Sequence, residues 1–139
     1  MRGRTLAREI ALKLAYQLDL RGEEILPEAE AFIASVDCGP EPAAYARRLL
    51  AGCWEHRHEL DSRISDASRN WSLSRLTAVD RNVLRIGAFE LLYIPDTPPK
   101  VVLNEAVELA RRFGSEESPA FVNGVLDRIR SVIAGETPE

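Results

Sequence analysis

The chain has 139 residues, of which 45% are apolar and 29% charged, and it carries a formal net charge of −4. This is the composition of one ordinary soluble domain, large enough to bury a core without disulfide staples, and it excludes disordered, collagenous and low-complexity classes. No apolar run reaches the roughly 18 residues of a membrane span. Met1-Arg2-Gly3-Arg4-Thr5-Leu6 also lacks the apolar core of a signal peptide, so the cytosol is the expected compartment.

Nearly every segment has helical period. Leu6, Ala7, Ile10, Ala11, Leu14 and Leu18 share a stripe and predict an amphipathic helix over 4–20, ended by Gly22. A short helix over 28–36 buries Ala29, Phe32, Ile33 and Val36, and the Gly-Pro cluster at 37–42 is a turn. From Pro42 to about Ala67 a single long helix is expected, buried through Tyr45, Ala46, Leu49, Leu50, Cys53, Leu60 and Ile64. Residues 70–76 form an apolar loop in which Trp71 and Leu73 plug a hinge. Thr77 and Asp80 resemble a capping box opening a helix from Ala78 to about Tyr93. Gly87 at its centre costs about 1 kcal/mol of helix propensity, which predicts a close helix–helix approach. Pro95, Pro98 and Pro99 stop it. A helix from about Lys100 to Phe113 ends at Gly114. The last starts with Ser118 as N-cap and Pro119 as first residue, and buries Val122, Val125, Leu126, Ile129 and Ile133. No stretch alternates with a period of two for long enough to make a strand. The reading is an all-α chain of two three-helix subdomains, about 1–69 and 70–139, with the seam at 70–77.

Charge is unevenly spread. Residues 1–22 sum to +3, whereas 23–44 carry six acidic groups and no basic one. Only Lys13 and Lys100 among the eighteen cations are lysine, a bias that suits planar phosphate contacts. Enzymatic signals are thin. His56 and His58 lie about 200° apart on a helix and cannot share a metal. Cys38 and Cys53 have no metal or redox spacing, and no phosphate-binding glycine loop or nucleophile elbow occurs. The first helix is more informative. Arg4, Arg8, Leu12 and Tyr16 form a ridge beside the buried stripe, Lys13 lies at its edge, and Arg2 extends it. Guanidinium groups neutralise phosphates, and an aromatic ring stacks an unpaired base. Asn123 is a candidate base or phosphate contact. Lys100 begins a helix, where a cation is unfavourable with the dipole, a misfit compatible with an anionic partner.

Ala7-Arg8-Glu9 with Ala11, Tyr16 and Gln17, the run from Asp80 to Leu91, the run from Pro98 to Ala110, Phe113-Gly114-Ser115-Glu116, and Phe121-Val122-Asn123-Gly124-Val125-Leu126-Asp127 together resemble the NusB family of bacterial transcription antitermination factors. These blocks span nearly the whole chain in order. The resemblance implies two perpendicular three-helix subdomains, no catalysis, no cofactor and no metal. It implies binding to the single-stranded boxA element of nascent ribosomal RNA, together with the ribosomal protein also called NusE. Other Nus factors and RNA polymerase would follow as partners, and no membrane. Carried over by position, the arginine-rich RNA-contacting region becomes Arg2, Arg4, Arg8 and Lys13, interrupted here by Thr5 and Leu6. Tyr16, Lys100, Phe121 and Asn123 complete the expected RNA site. The NusE-facing surface is expected on the first C-terminal helix, through Arg81, Arg85 and Glu90. Two other readings stay open: an accessory domain related to one found attached to ribosomal RNA cytosine methyltransferases, and a protein-only interaction module. Self-association is also open, since no clear heptad seam selects or excludes a homodimer.

Overall fold

A computed structural model describes residues 2–69 and 76–136, the side chain of Arg2 excepted. Among the described residues every regular element is helical. They are α1 (Arg2–Arg21), a 3₁₀ turn (Gly22–Ile25), α2 (Leu26–Val36), α3 (Pro40–Glu55), α4 (Arg57–Ser68), α5 (Ala78–Tyr93), α6 (Pro99–Phe113) and α7 (Ser118–Ile133). Trp71 and Leu73, expected to plug a hinge, lie outside the described residues.

The centre of the molecule is α5, which packs against α1, α3, α4, α6 and α7. Between Asn82 and Glu90 every residue but Arg85 is buried, which reflects this enclosure. Thr77 caps it, accepting the Asp80 N–H at 3.1 Å. Glycine lets the neighbours come close. A Cβ on Gly87 would stand 2.6 Å from Leu126 Cδ1 of α7, and one on Gly52 of α3 would stand 2.2 Å from the Phe89 ring.

Three expectations need correction, and the helix stop at Gly114 holds for a different physical reason. The long helix over 42–67 is two helices, interrupted at His56 with φ −101° and ψ 18°. The apolar stripe runs straight through the break, so periodicity hides it. What separates the halves is their packing: α3 lies on α1 and α5, while α4 lies on α5 and α7. Ser118 is the first residue of α7 rather than its cap, and its hydroxyl accepts the Ser115 N–H at 2.9 Å. Gly114 ends α6 with ordinary negative φ. Glycine is required there for space, since a Cβ would sit 2.5 Å from Ser118 Oγ. Ile133 is 42% exposed at the end of α7, beyond the reach of the core.

Wedged between α3 and α5, α1 is buried on more than one stripe. Ala7, Ile10, Ala11, Leu14 and Leu18 are inside as expected, but so are Arg8, Leu12 and Ala15. This second stripe, at i, i+4 and i+7, decides what the basic ridge of α1 can do.

Candidate nucleic-acid interface

Arg8 points inward and is 2% exposed. Its Nε donates to both carboxylate oxygens of Glu90, at 2.9 and 3.1 Å, and a terminal nitrogen donates at 2.8 Å. The other terminal nitrogen reaches Glu105 Oε1 at 3.2 Å, an oxygen that also accepts the Thr5 hydroxyl at 2.9 Å. Tyr45 also donates its hydroxyl to Glu90 Oε2, at 2.5 Å. Burial, reinforced by the Glu90 carboxylate, pushes the Tyr45 phenol up to about 12. Burial works against the Arg8 charge, but the Glu90 hydrogen bonds and field outweigh it and hold the guanidinium above its ordinary value. A phosphate contact by Arg8, expected from the ridge, is therefore corrected. Moving this group to a phosphate would leave Glu90 charged and alone in the core, a state proteins avoid.

Of the three residues expected to face a protein partner, Glu90 is turned inward, while Arg81 and Arg85 are part-exposed and paired with carboxylates of this chain. Glu90 is 1% exposed and belongs to the Arg8 cluster. Arg81 Nε pairs with Asp19 at 2.9 Å, and Arg85 grips Asp61 at 2.7 and 2.9 Å with Asp19 at 3.4 Å. These pairs tie α5 to α1 and α4. Burial alone would raise the Asp19 carboxyl, but the Arg81 hydrogen bond and the two arginine charges hold it below the usual carboxylate range. The enclosure of α5 is the reason: its polar residues need partners inside the protein.

Of the remaining candidates, Arg4, Lys13, Tyr16 and Lys100 belong to α1 and α6, whose side chains meet along one flank. Arg4 donates to Thr97 Oγ1 at 3.1 Å, and its guanidinium lies 4.3 Å from the Tyr45 ring centroid. Lys100 is exposed at the start of α6. About 14 Å further along α1, by helical rise, exposed Lys13 meets the other end of α6. There Glu9 bridges two cations, Lys13 Nζ at 3.2 Å and an Arg112 nitrogen at 2.8 Å. Burial nudges the Glu9 carboxyl up, but the hydrogen bonds from Arg112 and Lys13 hold it below its ordinary value. Half-buried Phe113 has Arg112 at 4.9 Å and Lys13 at 5.9 Å from its ring centroid. Tyr16 and Phe121 are half-buried, and Asn123 is exposed in the first turns of α7. Arg4, Lys13 and Lys100 thus fall along one seam, and Phe121 and Asn123 stand on the neighbouring helix α7.

Arg112 and Phe113 are additions to the expected site. In the sequence, cations in the last turn of a helix are explained by the dipole alone, and only the fold brings Lys13 beside them. A second group of arginines, Arg63, Arg69 and Arg128, gathers in a cleft of about 580 Å³ between α4 and α7. Asp66, Asp127 and Glu136 line the same cleft and offset their charge. Among the described residues no cluster of three or more His, Cys, Asp or Glu is placed to hold a metal.

A family model described as the NusB family matches residues 5–131. The transcription antitermination protein NusB of Myxococcus xanthus is 47% identical over 133 residues, covering 93% of this chain and 95% of that protein. Its counterpart in Geobacter sulfurreducens is 42% identical over 134 residues, covering 96% and 97%. The fold matches, with a TM-score of 0.83 and 33% identity, a chain in a crystal structure of antitermination factors NusB and NusE in complex with double-stranded RNA, covering 95% of this chain and 98% of that one.

Proposed function

This chain belongs to the NusB family, and from that premise we propose that it is a non-enzymatic RNA-binding factor of transcription antitermination. It binds the boxA element of nascent ribosomal RNA in the cytosol, jointly with the ribosomal protein NusE. The complex then joins other Nus factors on RNA polymerase and favours processive transcription. The observation that carries this reading is the α1–α6 seam, where the exposed cations Lys100, Lys13 and Arg112 share one flank with the half-buried ring of Phe113. A single strand offers phosphates to the first and unstacked bases to the second. The solved NusB–NusE complex with RNA supports the choice of both partners.

With few free cations, the chain alone binds RNA modestly and with steep salt dependence. NusE adds contacts and raises affinity by linkage. A gel-shift series with boxA RNA, a scrambled strand and a duplex, each with and without NusE, tests the reading. Selective retardation of boxA, strengthened by NusE, is the expected result. Binding of NusE without any selective RNA shift favours a protein-only module instead. Light scattering on the same mixtures shows whether a homodimer competes with the heterodimer.

A further inference from the structure

We propose that Lys13 of α1 and Arg112 and Phe113 of α6, clamped by Glu9, form a binding platform for one unpaired nucleotide, the guanidinium plane stacking its base and the two cations taking its phosphate. The proposal rests on the RNA-binding reading above and adds a site to it. Glu9 uses one carboxylate oxygen for each cation, so the cluster keeps one positive charge in excess. Lys13 and Arg112 remain 49% and 44% exposed, with their charged ends near solvent while their orientation is fixed. The guanidinium lies close to the Phe113 ring, which leaves its outer plane to meet a base.

A purely structural role explains this cluster poorly. Exposed ion pairs add little to stability, and α1 is already joined to α5 and α6 by the Arg8, Glu90 and Glu105 cluster. An acidic peptide would use the cations but leave the stacked ring without purpose. A nucleotide uses both, and the platform continues the strip that begins at Arg4 and Lys100. Glu9 acts as a positioning residue. It fixes the two cations and offsets one of them.

The test is fluorescence anisotropy of labelled single-stranded boxA RNA against the full chain with NusE, repeated across a salt series. Arg112→Ala should weaken binding about tenfold and lower the slope of log affinity against log salt by about 1. Phe113→Leu, which removes the ring that backs the Arg112 plane, should weaken binding at least about fivefold with the slope unchanged, as loss of an ordered stacking surface does. Glu9→Gln should raise the slope by about 1, because both cations become available; a structural staple would not have that signature. Arg112 is exposed, so its variant folds, and circular dichroism at the assay temperature confirms this for all three. If Arg112→Ala and Phe113→Leu bind like wild type with the same slope while Arg4→Ala weakens binding, the platform is wrong and the RNA reading stands. If the wild type itself shows no selective binding, both fall.

Discussion

Arg8 and Glu9 follow one another on α1, and each forms ion pairs with α6, yet their surroundings give them opposite work. Arg8 sits in a nearly dry pocket with Glu90, Glu105 and Tyr45. Glu9 holds Lys13 and Arg112 at the rim, where water competes for every charge. The same chemistry therefore fixes the fold in one place and presents charge to a ligand in the other. A buried pair is costly to break because the survivor is stranded, whereas a rim pair is cheap to open and so can be exchanged for a phosphate.

The contrast is broken most severely by removing one partner of the buried pair. Arg8→Ala should cost about 3–5 kcal/mol in urea unfolding, because Glu90 loses its counter-charge. Arg8→Met combined with Glu90→Met should recover most of that loss, since a well-packed apolar pair replaces the ion pair. Equal destabilisation by the single and double variants would mean that packing volume, not charge, holds the site.

The next effect is a pH dependence. A tyrosine ionises near pH 10 in an unfolded chain, and Tyr45 ionises at about 12 in the fold. The protonated phenol therefore stabilises the native state fully below pH 10, and this contribution is lost as pH rises from 10 to 12. It amounts to about 2–3 kcal/mol, and Tyr45→Phe should remove it from the pH profile of chemical unfolding. On the acid side the sign reverses. Glu9 is held low, so its smaller contribution is present above the usual carboxylate value and is lost as pH falls through the lowered one.

The smallest effect sharpens the comparison by salt. Arg112→Ala should change stability by less than about 1 kcal/mol. The difference should vanish in 1 M salt, where the screening length is about 3 Å. The Arg8→Ala deficit should persist there, because the buried pair is shielded from ions. Thermal melts of both variants at low and high salt check this.

Much of the fold is legible because apolar residues recur with helical period. The cores of α5, α6 and α7, the Thr77 cap and the close approach at Gly87 all follow from local pattern. The break at His56 does not, since Cys53, Leu60 and Ile64 keep the stripe in phase across it. The site is less legible for a related reason. Arg8 looks like its neighbours on the ridge, and only a partner 82 residues away, Glu90, makes it internal. Arg81 and Arg85 read as surface cations for the same reason, their carboxylates being on α1 and α4. Arg112 and Phe113 pass as a normal helix ending until α1 is laid beside them. Helical faces are written in short-range spacing, whereas which charges meet is decided by tertiary contacts between distant segments.

The most direct test of the central claim is a map of backbone amide shifts in this 15.5 kDa chain as boxA RNA is added in the presence of NusE, with subtraction of the shifts caused by NusE alone. The account predicts RNA-dependent changes along the seam, at residues 4, 13, 100, 112 and 113, and at the candidate rings of residues 16 and 121, with the Arg8–Glu90 cluster retained. Changes confined to the arginine cleft between α4 and α7, or none beyond those caused by NusE, would contradict it.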